Sequence, residues 1–175
     1  FTSPKSNSAT STATQDGDQL LFNALKHESK EQYQKAYDIY LPLAEKGDAT
    51  AQRCIGVMLK EGRDGVEKNY EQAIRWFEMA ASTHIITAHK GFFSSEWHPD
   101  QTPGAFRSDQ ADAVACFEAG RAYLGHAVTD EVPENAGIES DFSKAKLLLE
   151  RAVESDHPLA AYDLGIMYAQ GYGVE

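Results

Sequence analysis

Six histidines, two cysteines and a surplus of carboxylates are the residues of this chain that could do chemistry. The histidines are His27, His84, His89, His98, His126 and His157. His84 and His89 are five apart, about 140° around a helix, so they do not share a face as paired metal ligands would. No HExxH motif occurs, and His98-Pro99-Asp100 reads as a turn. Cys54 and Cys116 form neither a CxxC motif nor a dense disulfide framework. Each sits in a helical pattern where a small buried thiol fits, away from the electropositive cleft that makes a thiol reactive. There is no serine nucleophile elbow, and the Gly171-Tyr172-Gly173-Val174 ending is a helix stop rather than a phosphate loop. Carboxylates are plentiful, but no spacing singles out a pair. These residues predict no enzyme, no metal and no cofactor.

What the charge predicts is a kind of partner. Of 175 residues, 27 are acidic and 16 basic, a formal net charge of −11. Nucleic acid and anionic membrane surfaces are bound through clustered Lys and Arg, so neither is expected. Residues 83–175 hold 15 acidic against 6 basic side chains, which would attract a basic partner or simply form a solvated acidic surface. At 42% apolar and 25% charged the composition is that of a globular protein. No apolar stretch approaches the roughly 20 residues of a membrane-spanning helix. Residues 1–16, FTSPKSNSATSTATQD, are expected to be disordered, because they offer nothing to bury. A Ser/Thr-rich start without Met suggests an exported, periplasmic chain, with a cytoplasmic location as the alternative.

The elements that must position these groups are helices that repeat. Tyr33, Ala36, Ile39, Tyr40, Leu43 and Ala44 share one spacing with Tyr70, Ala73, Trp76, Phe77, Ala80 and Ala81. Phe142, Ala145, Leu148, Leu149, Ala152 and Val153 repeat it. Residues three and four apart stack on one helical side, so each set is a single helix face. A second helix type alternates with the first. Ala49, Ala51, Ile55, Gly56, Met58 and Leu59 align with Ala113, Ala115, Ala119, Gly120, Ala122 and Tyr123, and with Pro158, Ala160, Leu164, Gly165, Met167 and Tyr168. A mid-helix glycine costs about 0.5–1 kcal/mol relative to Ala, so its recurrence predicts a close helix approach. Helices are expected at 18–28, 31–46, 49–61, 69–82, 111–125, 141–155 and 158–170.

Residues 46–81, with LysGlyAsp-AlaThrAlaGln, IleGlyValMetLeu, GlyVal, TrpPhe and AlaAla in order, resemble a Sel-1-like repeat. Residues 159–174, LeuAlaAlaTyrAspLeuGlyIleMetTyrAlaGlnGlyTyrGlyVal, resemble the first half of another. The resemblance implies an all-α, right-handed α-solenoid of antiparallel helix pairs, related to tetratricopeptide repeats, and a role as an adaptor surface. The expected layout is one solenoid over 17–175, with an insertion at 83–110 and a long loop at 126–140. Because the last helix would lack its partner, the natural chain is expected to continue beyond residue 175.

Two surfaces are candidates for binding. The insertion gathers Phe92, Phe93, Trp97 and Phe106; either Phe92 and Phe93 cover the groove between repeats, or Trp97 and its neighbours anchor a partner. In the glycine-bearing helices a second face runs through Arg53, Val57 and Lys60, then Phe117, Arg121 and Leu124, then Tyr162, Ile166 and Ala169. If such helices line a concave surface, Arg53, Phe117, Arg121 and Tyr162 meet the ligand. Packing between neighbouring repeats is the competing explanation. The expected function is a non-catalytic protein-binding scaffold of a bacterial envelope with a protein or peptide partner. A narrower form is an immunity protein that neutralises a type VI secretion toxin. A weak hydrolase of cell-wall material is the enzymatic alternative, and it would need a polar pocket with perturbed acids.

Overall fold

The computed structural model describes residues 9–88, 108–125 and 137–173, and among them every regular element is an α-helix. In chain order these are α1 (Ala9–Glu28), α2 (Tyr33–Glu45), α3 (Ala49–Glu61), α4 (Tyr70–Ala88), α5 (Ser108–Leu124), α6 (Phe142–Glu154) and α7 (Ala160–Gln170). Every expected helix is present. Three ends differ. α1 begins at Ala9, inside the stretch 1–16 that had no burial of its own to order it. α4 runs to Ala88 and α5 starts at Ser108, so both reach into the expected insertion 83–110. Trp97, Phe92, Phe93 and Phe106 lie outside the described residues, as do residues 126–136 of the second loop.

Local chemistry fixes where the helices start and stop. The Asp48 carboxylate accepts a hydrogen bond from the Ala51 amide at 2.7 Å and caps α3. Asp141 does the same for the Lys144 amide at 2.9 Å on α6, and Asn69 for the Gln72 amide at 3.0 Å on α4. These side chains satisfy amides that a helix start leaves without partners. α3 ends at Gly62, whose φ of +70° is left-handed, and a Cβ there would lie 2.8 Å from Lys68 Cβ.

In the pairs α3–α4 and α5–α6 the mid-helix glycine lies tightly against the partner helix. A Cβ on Gly56 of α3 would come within 2.7 Å of the Phe77 ring of α4, and one on Gly120 of α5 within 3.0 Å of Leu149 of α6. Gly165 of α7 breaks the series, with nothing within 4 Å of that position. Its partner face is open among the described residues, and Gly165 is exposed. The core is continuous: Tyr40, Ile55, Met58, Ile74, Phe77, Leu124, Leu149 and Met167 are fully buried. Tyr40 keeps its hydroxyl satisfied by donating to Glu28 at 3.0 Å, which ties α2 to α1.

Pairs stack on pairs in two layers. In one layer Lys60 of α3 meets Glu118 of α5 at 2.6 Å, and Arg121 of α5 meets Asp163 of α7 at 3.1 Å. In the other, Arg151 of α6 donates to the Ala81 carbonyl of α4 at 3.1 Å, and Lys144 reaches Glu78. Helices that alternate along the sequence therefore become neighbours within a layer, which is the arrangement of an α-solenoid.

Candidate functional site

The face expected to meet a ligand is mostly the seam between successive glycine-bearing helices. Phe117 is only 5% exposed, and its ring stacks on His157 with centroids 4.0 Å apart and planes at 23°. The Arg121 guanidinium lies 5.3 Å from the Phe117 ring centroid while its Nε pairs with Asp163. Leu124 is buried, and Lys60 is committed to Glu118. Phe117 and Arg121, two of the expected ligand contacts, are engaged in packing between successive repeats. Their positions point at the next repeat, so their apolar area and charge are used in stacking. Arg53 is half-buried on α3. Tyr162 occupies the equivalent face of α7 and is 70% exposed, because no further helix covers it among the described residues. Trp97 lies outside them.

A cleft that the sequence did not suggest opens between α4, the segment 137–141 and the start of α6. Its volume is about 710 Å³. Glu71, Glu78 and Arg75 of α4 form one wall, and Glu139, Asp141 and Lys144 the other, with Tyr123 of α5 at the base. Ile74 and Phe142 supply apolar lining, and Phe142 is stacked on Tyr172 with centroids 4.7 Å apart. The cleft exists because Asp141 starts α6 beside α4, which sets two charged helix surfaces facing each other.

At its centre Glu78, Tyr123 and Lys144 bond to one another. Tyr123 Oη donates to Glu78 Oε1 at 2.5 Å, Lys144 Nζ lies 2.6 Å from Tyr123 Oη, and Lys144 also bonds Glu78. Burial raises the Tyr123 pKa, and its hydrogen bond to Glu78 raises it further. Burial alone would lower the Lys144 pKa, but its bonds to Glu78 and Tyr123 outweigh that and raise it. Tyr123 thus keeps its proton and Lys144 its charge. A general base needs the opposite tuning, a pKa brought near the working pH. The cluster is arranged to hold charge in place. Elsewhere the charged groups pair locally, as Arg75 does with Glu71 at 2.5 Å. Glu139 is exposed and has no ion-pair partner among the described residues. No group of three His, Cys, Asp or Glu side chains among the described residues is placed to hold a metal.

Helix pairs stacked in two layers, with a charged cleft between neighbouring pairs, define an α-solenoid scaffold. The Sel1 repeat family model matches residues 49–82, 134–157 and 158–175, so these segments are Sel1 repeats. Such repeats serve as protein-binding scaffolds. A solved Sel1 repeat protein from Oxalobacter formigenes has a similar structure, with a TM-score of 0.66 and 22% sequence identity. The match covers 95% of this chain and 55% of that one, so this chain spans about half its length. At that identity the likeness establishes the fold alone. No curated protein matches the sequence.

Proposed function

We propose that this chain is a non-catalytic adaptor whose cleft between α4 and α6 receives a basic segment of a protein partner. The observation that carries this reading is the composition of the cleft, where four carboxylates, Glu71, Glu78, Glu139 and Asp141, face two cations, Arg75 and Lys144. Glu78 is neutralised by Lys144 and Glu71 by Arg75, which leaves Glu139 and the capping Asp141 to set the field. The excess of carboxylates over cations gives the cleft a net negative field, which steers an oppositely charged partner into it. The apolar patch of Ile74 and Phe142 beside it gives that partner something to bury. The acidic excess after residue 83 extends the same field, and a basic toxin bound in the bacterial envelope is one partner of this kind.

The test is affinity capture from an envelope extract with the parent chain and with Glu71→Lys/Glu139→Lys. Both positions are exposed, and the Arg75 pair lost at Glu71 is a surface pair of small worth, so the variant should fold like the parent. The expected result is a partner of basic pI that the parent retains and the variant loses, with an on-rate that falls as salt rises from low to physiological. Equal capture by the two proteins would refute the cleft as the binding site.

A further inference from the structure

His157 sits in the turn between α6 and α7, and its ring closes the seam between α5 and α7 by stacking on Phe117. Its Nδ1 is buried and has no hydrogen-bond partner among the described residues. A neutral imidazole can place its single proton on Nε2 and leave Nδ1 as a bare lone pair. A protonated one carries N–H on both nitrogens, and the Nδ1 proton would then be buried with no acceptor. The charged groups around the stack are Glu118 and Arg121 on α5, Lys60 on α3 and Asp163 on α7. Glu118 favours a cation at His157, but its carboxylate is bonded to Lys60 at 2.6 Å. Arg121 already places one cation beside the Phe117 ring, and Asp163 is spent on Arg121. On the turn itself, Asp156 and Glu154 are exposed. Asp156, next to His157, has a φ of +59°, in the left-handed region that aspartate tolerates better than most residues.

We propose that this stack is an acid-sensitive latch: protonation of His157 withdraws its ring from Phe117 and loosens α7 against α5, leaving the Arg121–Asp163 pair as their tie, while the pairs α3–α4 and α5–α6 stay packed. The latch stands apart from the cleft between α4 and α6. Burial holds the imidazole pKa below its ordinary value, with Glu118 opposing. The closed state therefore binds fewer protons than the open state. The latch is fully closed above the ordinary histidine value of about 6.5 and weakens as pH falls through it towards the depressed one.

Hydrogen exchange on the full chain at about pH 7.5 and 5.5, corrected for intrinsic exchange, reads this directly. Protection of α7 amides relative to α3 amides should fall more than twofold on acidification in the parent. In His157→Phe, which keeps a stacking ring without a titrating nitrogen, the ratio should stay constant. His157→Gln removes the titration in a polar background and should also flatten the response. The imidazole proton resonance of His157 should titrate below about 6.5. An unchanged α7 ratio in the parent, an equal drop in both variants, or titration at or above that value would each overturn the latch.

Discussion

Gly56 and Gly165 occupy equivalent positions in two repeats, yet alanine should move stability in opposite directions at the two sites. At Gly56 a methyl group would stand 2.7–3.0 Å from three atoms of the Phe77 ring. That ring is fully buried, so it cannot swing away without displacing α4. Overpacking of this kind costs about 1–3 kcal/mol, and the helix propensity gained by replacing glycine returns about 0.5–1 kcal/mol. Gly56→Ala should therefore destabilise by about 1 kcal/mol net, and lower Tm by roughly 2–4 °C for a chain of this size. At Gly165 nothing lies within 4 Å, so only the propensity gain applies. Gly165→Ala should stabilise by about 0.5–1 kcal/mol and raise Tm by about 1–4 °C. Gly120 is intermediate, since its neighbour at 3.0 Å is a leucine side chain, although the Ala145 carbonyl follows at 3.4 Å. Thermal unfolding by circular dichroism, with all three variants in one buffer, gives the order. Shifts of the same sign at Gly56 and Gly165 would refute the assignment of the glycine to the close approach between paired helices.

Arg121→Leu leaves the Asp163 carboxylate, 10% exposed, without its ion-pair partner across the seam, and should cost roughly 3 kcal/mol by urea denaturation. Arg121→Leu/Asp163→Leu should recover most of that loss, and a single variant as mild as the double would contradict the pairing. Asp48→Ala removes the cap of α3 and should cost about 1 kcal/mol, measured the same way, with Asp141→Ala comparable on α6. Burial pushes the Cys54 thiol up to about 11, so it stays protonated at neutral pH. It should react with a disulfide reagent only as fast as the chain unfolds, and a rapid burst in native buffer would show the site to be open.

The helices were legible because each buries one face, and a face leaves a period of three and four in the sequence. Tyr40, Phe77 and Leu149 recur at the same place in that period, and all three are fully buried. The glycines at 56 and 120 were legible for the same reason, since a costly residue recurs only where a partner must come close. What the period does not encode is which neighbour a second face meets. Phe117 and Arg121 have the composition of a binding surface, aromatic beside cationic. The stack on His157 and the pair with Asp163 depend on how far one repeat is rotated against the next. Tyr162 shares their register and remains exposed. The cleft was hidden more deeply. Glu78, Tyr123 and Lys144 are separated by 45 and 21 residues and come from three helices, so no local spacing links them. The one available signal was Tyr123 at the end of the repeated Gly-x-x-Tyr pattern, where Gly165 is likewise followed by Tyr168.

The two kinds of joint in this molecule have a mechanical consequence. Paired helices meet through glycine and ring contacts of a dry core, which resist sliding because any shift drives atoms together. Successive glycine-bearing helices are tied, beside the single Phe117–His157 stack, by long side chains, Lys60 to Glu118 and Arg121 to Asp163, which can lengthen and re-aim without steric collision. An elastic load applied across the array would therefore be taken up as bending at the seams, with each pair behaving as a rigid plate. Compliance would follow the number of seams, so a partner that spans several repeats can adjust the curvature it binds without unfolding any of them.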